Sequence, residues 1–376
     1  MSIRDSKIRT VAALLAMAAP GVLLAQPPAA NDNVKLPESR KIPAEQTAAA
    51  YANPDWKAPR TSWGDPVIEG TWSTDDMRGI PRDRPRELGT QEYLDQEQFL
   101  ERARTQEAGR DRAVNEETFL RNEWGTRTFG FSSLVVDPPD GRTPAVNQMG
   151  RARQAATSGR GTFGSGPFDS FDDFSLYDRC IALGIKEGMG ALIYGNGIRV
   201  VQSPSEVSIT YEMIHETRVI PLDDRPPLED GIRQYTGNGR GHWEGDTLVV
   251  ESQGFTDLLS VGGPPNSEKM RTTERIRRVD PDMIEYRITI DDPGTYEAPF
   301  TVRTMWTTQP NYEVYEYSCH EGNGAVGHSL SGERAYEQQV AEAIANGETP
   351  PPRANGMNIY RAPSEDAEIF SINEGE

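Results

Sequence analysis

From about residue 189 onward, apolar and polar residues alternate with a period of two. Val207, Ile209, Tyr211 and Met213 alternate with Ser208, Thr210 and Glu212, and Ile284, Tyr286, Ile288 and Ile290 with Glu285, Arg287 and Thr289. That is the pattern of a strand with one buried and one wet face. It predicts strands over 191–194, 198–202, 207–213, 217–222, 247–252, 271–279, 284–290, 300–307 and 312–319. Turn chemistry separates several of them: Gly195-Asn196-Gly197, Asp280-Pro281-Asp282 and Gln309-Pro310-Asn311. Many short strands with hairpin turns predict an all-β fold with minor α, an antiparallel up-and-down meander. Such a meander must hide its edges, and closure into a lipocalin-like barrel does so.

The first half is patterned more weakly. Residues 67–72 read as a first strand. Residues 91–123 are polar with sparse apolar positions and read as surface helices. The apolar run 131–136 ends at the turn Pro138-Pro139-Asp140-Gly141, and 157–169 reads as a loop. Near the other end, Val340, Ala341 and Ile344 mark a helix over 333–345, stopped by Gly347. At the start, Arg4, Lys7 and Arg9 precede an apolar run over 11–24 and the small residue Ala25. This is the pattern of a Sec-type signal peptide, too short for a membrane span of ~20 apolar residues. The expected organisation is a signal peptide at 1–25, a leader at 26–60, an N-terminal extension with surface helices at 61–130, the barrel at 131–332, and a C-terminal helix with an acidic tail at 333–376. The expected location is periplasmic or secreted.

Charge narrows the partners. A formal net charge of −19 repels phosphate backbones and anionic membranes, so neither nucleic acid nor a membrane span is expected. The two cysteines, Cys180 and Cys319, fit a disulfide in an oxidising compartment.

Candidate chemistry is sparse. Of four histidines, His215, His242 and His320 stand beside or near carboxylates at predicted strand–turn junctions: His215 with Glu216, His242 with Glu244, His320 with Glu321. An imidazole held by a carboxylate serves as acid or base near neutral pH, so His215, His242, His320, Glu216 and Glu244 form the catalytic candidate set. His215 and His320 are expected to share a pocket. Three converging imidazoles would suit zinc, but HExxH spacing is missing and the thiols are assigned to a disulfide, so neither metal nor cofactor is predicted. Tyr211, Tyr235, Tyr286, Tyr315 and Tyr317, with Trp243 and Trp306, are the aromatic candidates for lining a ligand cavity. Gly327-His328-Ser329-Leu330-Ser331 lacks the final glycine of a nucleophile elbow. The glycine clusters at 159–166 and 237–241 lack a P-loop lysine.

Several motifs taken together resemble a family of exported bacterial proteins of unassigned function. They are Asp178-Arg179-Cys180, residues 212–218 (EMIHETR), residues 241–249 (GHWEGDTLV), Glu274-Arg275-Ile276 and residues 317–323 (YSCHEGN). The likeness spans roughly 130–335. Gly70-Thr71-Trp72 and the turn at 243–249 are also similar, more distantly, to lipocalin-like (calycin) barrels. That resemblance implies a barrel around a small, largely apolar molecule and transfers no catalytic residue. The leading expectation is therefore an exported barrel binding a small organic ligand. The alternatives are a cofactor-independent lyase, isomerase or hydrolase on the same barrel, and a structural envelope protein. The oligomeric state is left open.

Overall fold

The computed structural model describes residues 56–353, apart from 116–124, 158–165, 184, 186–188, 193, 230, 259–263 and 310–311. The expected signal peptide, the leader through 55 and the tail from 354 lie outside the described residues. Ten strands and three α-helices are present among them: β1 (Gly70–Ser73), α1 (Gln96–Asn115), β2 (Val135–Asp137), α2 (Gln148–Ala156), β3 (Gly197–Gln202), β4 (Glu206–Tyr211), β5 (Thr217–Pro221), β6 (Asn238–Glu244), β7 (Thr247–Gln253), β8 (Arg271–Asp280), β9 (Met283–Asp291), β10 (Phe300–Thr307) and α3 (Ala325–Ala345). No helix among the described residues is long and apolar enough to cross a membrane.

The strands form one antiparallel sheet in the order β5-β4-β3-β1-β10-β9-β8-β7-β6, with β2 also paired to β10. Two meanders, β3–β5 and β6–β10, are thus joined through β1. The expected barrel is corrected here: the sheet does not close. Parity works against closure. All eight neighbouring pairs along the path are antiparallel. Nine strands in alternation leave the two end strands, β5 and β6, running the same way. Closure would need a parallel ladder between them, with a different hydrogen-bond pattern from every other pair. The four residues of β1, slotted between β3 and β10, are the odd strand.

The two ends still approach each other. A Cβ added to Gly241 on β6 would lie 2.8 Å from Leu222 and 2.9 Å from Ile220, at the end of β5. The sheet therefore curls into an unclosed barrel with a seam between β5 and β6.

The inward faces follow the predicted alternation. Val207, Ile209, Tyr211, Ile220, Leu248, Val250, Ile276, Ile284, Tyr286 and Ile288 join one buried cluster with Trp72, Met77, Phe129, Phe131 and Trp306. The segment 61–130, expected to be an extension, thus gives a strand and several core residues to the same packed unit. Among these apolar side chains sits a buried ion pair. Arg218 donates through its two terminal nitrogens to Glu274, at 2.5 and 2.9 Å, and Tyr286 donates its hydroxyl to the same carboxylate at 3.0 Å. Burial alone would lower the guanidinium's proton affinity; Glu274 outweighs it and drives the pKa up. Burial, then the Glu274 charge, pushes the Tyr286 hydroxyl far up, so it stays protonated.

Two expected strands do not form. Residues 312–319 run without a ladder, and so do 191–192 and 194. Both hairpins are blocked by occupancy. β10 already has β9 on one edge and β1 and β2 on the other, and β3 lies between β1 and β4. Conversely, residues 238–244, for which no strand was expected, form β6, which pairs with β7 around the expected Gly245-Asp246 turn. α3 starts at Ala325 rather than at 333. α2 was not expected from its pattern; Asn147 caps it by accepting from the Gly150 amide. The Cys180–Cys319 disulfide is formed, closing a separation of 139 residues. In the chain-entropy model a loop of that order is worth about 4–5 kcal/mol.

Candidate functional site

The interior is packed. Tyr211, Tyr286 and Trp306 face inward, as their strands require, and are fully buried in the core. Tyr286 and Trp306 stack at 4.7 Å between ring centroids. None of these three rings lines the seam cleft described below. They fill the space that a closed barrel would have left for a ligand.

The β6–β7 hairpin splits its motif between two faces. His242 points outward, its Nε2 3.3 Å from Glu244, and Arg275 on β8 donates to the other Glu244 oxygen at 2.8 Å. Hydrogen bonds from Arg275, then from His242, hold the Glu244 carboxyl below the usual carboxylate range. Trp243 points the other way and packs against the core, and its indole N–H meets no acceptor among the described residues. His242 and Glu244 therefore belong to an exposed ion cluster on the outer wall.

His215 and His320 do come together, with ring centroids 6.2 Å apart. The disulfide brings them there, tying the segment 312–320 down beside the β4–β5 connection. His215 Nδ1 lies 3.1 Å from the Tyr317 carbonyl oxygen. A carbonyl only accepts, so Nδ1 carries the hydrogen of this bond, and a neutral ring then offers Nε2 as a free acceptor. Tyr317 stacks on Tyr194 at 6.2 Å, their hydroxyls 3.4 Å apart. Burial, then hydrogen bonding to Tyr194 and Tyr177, raises the Tyr317 hydroxyl well above its usual range. The three non-glycine residues with positive φ among those described, Cys180 (55°), Ile214 (62°) and His215 (49°), all lie at this corner. A β-branched residue at such an angle is strained, and strain of this kind gathers at functional sites. Both imidazoles are exposed, however, on the rim rather than inside a barrel. Among the described residues no three His, Cys, Asp or Glu side chains converge as metal ligands.

A large opening lies at the seam. A cleft of about 890 Å³ runs between β5 and β6, floored by Arg218 and Ile220 and walled by residues 234–240. Ile181, Ala182 and Glu216 also line it, so the disulfide corner borders one end. Leu228, Tyr235, Val219 and Leu258 expose apolar surface in it. The Thr256 hydroxyl in its wall is buried and meets no partner among the described residues. A second cleft near Tyr296 and Phe300 holds about 430 Å³. Of the candidates named from sequence, Glu216 and Tyr235 line the seam cleft. Arg218, Arg240 and Leu228 were missed. Leu228 falls in the Pro- and Asp-rich stretch before residue 231, which read as a plain loop; Arg218 falls on an expected strand and Arg240 just before the motif at 241–249.

No family model matches the chain, and no curated protein matches it. Among solved structures, a variant of the fluorescent protein UnaG is similar over 36% of this chain and 86% of that chain, at 13% identity and a TM-score of 0.20. A likeness of that size carries no argument about the ligand.

Proposed function

We propose that this protein binds a small organic molecule in the seam cleft between β5 and β6, acting outside the cytoplasm as the signal-peptide pattern at residues 1–25 suggests. The observation that carries this reading is the cleft of about 890 Å³ at the one place where the sheet fails to pair. Its volume suits a drug-sized molecule, and its mixture of apolar and polar walls is what ligand sites require. The strand edges along it offer backbone groups that no neighbouring strand uses. The packed interior moves the ligand from the barrel axis to the barrel's edge.

Titration with the neutral fluorescent probe N-phenyl-1-naphthylamine tests this. The wild type should bind it at micromolar concentration. Val219→Trp, an exposed replacement on β5 that narrows the cleft, should weaken binding at least tenfold with an unchanged melting temperature. Equal binding by both proteins would place the probe elsewhere and remove the seam as the site.

A second reading, acid–base chemistry at His215 and His320, is favoured by the strained backbone gathered around them. If His215 is kept for chemistry rather than for the fold, His215→Gly should be at least as stable as the wild type, because glycine relieves the positive φ. A drop of several degrees in melting temperature would make the residue structural.

A further inference from the structure

We propose that the ligand of the seam cleft is an organic anion, a carboxylate or sulfonate on an apolar body, anchored by Arg240. The inference rests on the cleft being the site and adds the charge of its occupant.

The charged residues lining the cleft are Arg218, Arg225, Arg233, Arg240 and a single carboxylate, Glu216. This is a local excess of positive charge in a chain of net charge −19. Three of the arginines have acidic partners. Arg218 is neutralised by buried Glu274, Arg225 chelates Asp223, and Arg233 lies 3.8 Å from Glu268. Arg240 differs. Its guanidinium donates to the carbonyls of Arg225 at 3.3 Å, Pro226 at 2.9 Å and Gly239 at 2.7 Å. No carboxylate lies within ion-pair distance of it among the described residues. Asp223, whose carboxyl is held down first by Arg225, is influenced by Arg240 only at longer range.

Carbonyl oxygens fix a guanidinium without cancelling its charge. Arg240 is therefore a cation held in place before any ligand arrives, which lowers the ordering cost of binding an anion. A planar guanidinium suits the paired oxygens of a carboxylate or sulfonate. The exposed Leu228, Tyr235 and Leu258 beside it supply apolar surface for the rest of the molecule. A purely polar anion would leave that surface wet, and a neutral apolar molecule would leave the cation unanswered.

Two probes with the same aromatic body separate the possibilities: anionic 8-anilinonaphthalene-1-sulfonate and neutral N-phenyl-1-naphthylamine. Each is titrated into wild type, Arg240→Gln, Arg240→Lys and Val219→Trp, with melting temperatures recorded. The wild type should prefer the anion. Arg240→Gln should lose about tenfold in affinity for the anion, as expected for one charge-assisted contact, and keep its affinity for the neutral probe. Arg240→Lys should fall between, and Val219→Trp should weaken both probes. If the wild type binds both probes equally and Arg240→Gln changes neither, the anion assignment is overturned while the cleft stands. Equal loss of both probes in Arg240→Gln would make the arginine a brace for the loop and overturn the assignment too. If Val219→Trp affects neither probe, the cleft itself is not the site.

Discussion

The wall β8–β9–β10 and the seam β5/β6 are built by opposite means. In the wall, ladders run nearly the full length of each strand, and Ile276, Ile284, Tyr286, Ile288, Val302 and Trp306 face inward, with Thr272, Glu274 and Thr304 as buried polar positions among them. At the seam, β5 and β6 share no backbone ladder. Glycines replace branched side chains on β6: Gly239 and Gly241 let the strand approach Ile220 and Leu222. Arginines and a proline-rich connection replace the apolar run. The wall buys stability through repetition; the seam gives up pairing and leaves an accessible, charged cleft. The contrast teaches that the ligand site of such a sheet need not be its axis. It can be the place where strand parity leaves the two end strands without an antiparallel partner.

The largest effects should come from what holds the seam's neighbourhood in place. Replacing Cys180 and Cys319 by serine together should cost about 4–5 kcal/mol in urea unfolding, reflecting the long loop the disulfide closes. The loss should appear first as faster exchange in 312–320 and the β4–β5 corner, with the wall spared. Uniform loosening of both regions would show that the corner and the wall are one cooperative unit. Glu274→Gln comes next. It leaves the Arg218 guanidinium buried without its counter-charge, and about 3–5 kcal/mol should be lost. A loss below 1 kcal/mol would show that water already reaches Arg218 through the cleft.

Gly241→Val probes the seam itself. Its side chain would push against Leu222 and Ile220, which lie 2.8 and 2.9 Å from the added Cβ. Overpacking of this kind costs about 1–3 kcal/mol, and the probe affinity of the cleft should change with it. A stable variant with unaltered binding would mean that the edges are looser than the close approach implies.

The smallest effect concerns pH. The Asp76 carboxyl is pushed above its ordinary value of 3.8, chiefly by burial, against hydrogen bonds from Thr307 and Arg127. Its folded-state pKa is raised, so its contribution favours the fold below about 3.8 and is lost as pH rises through the raised value. Asp76→Asn should therefore gain on the wild type in urea midpoint from pH 4 to pH 7. A difference constant with pH would contradict the shift.

The wall was legible in the sequence because its information is local. Residues 284–290 alternate strictly, and 300–307 coincide with β10. The disulfide was legible from two cysteines in a chain expected to be exported. The open seam was not legible, because parity is a property of the whole sheet. It depends on β1, four residues long, entering between β3 and β10 from more than a hundred positions away in sequence. The same insertion occupies the edges that 191–194 and 312–319 would have used, so two sound local patterns went without partners. The approach of His215 to His320 followed from their placement at strand ends, but the route was the disulfide rather than an inward-facing hairpin. Arg240 was invisible as an anchor, because its distinction is the absence of an acidic partner in space.

Hydrogen–deuterium exchange across the sheet, with and without saturating 8-anilinonaphthalene-1-sulfonate, tests the open, ligand-taking seam most directly. In the free protein, amides of β5 (Thr217–Pro221) and β6 (Asn238–Glu244) should exchange far faster than those of β9 (Met283–Asp291). The probe should slow β5 and β6 and leave β9 unchanged. Protection of β5 and β6 equal to that of β9 in the free protein, with no response to the probe, would mean a closed barrel and would contradict the account.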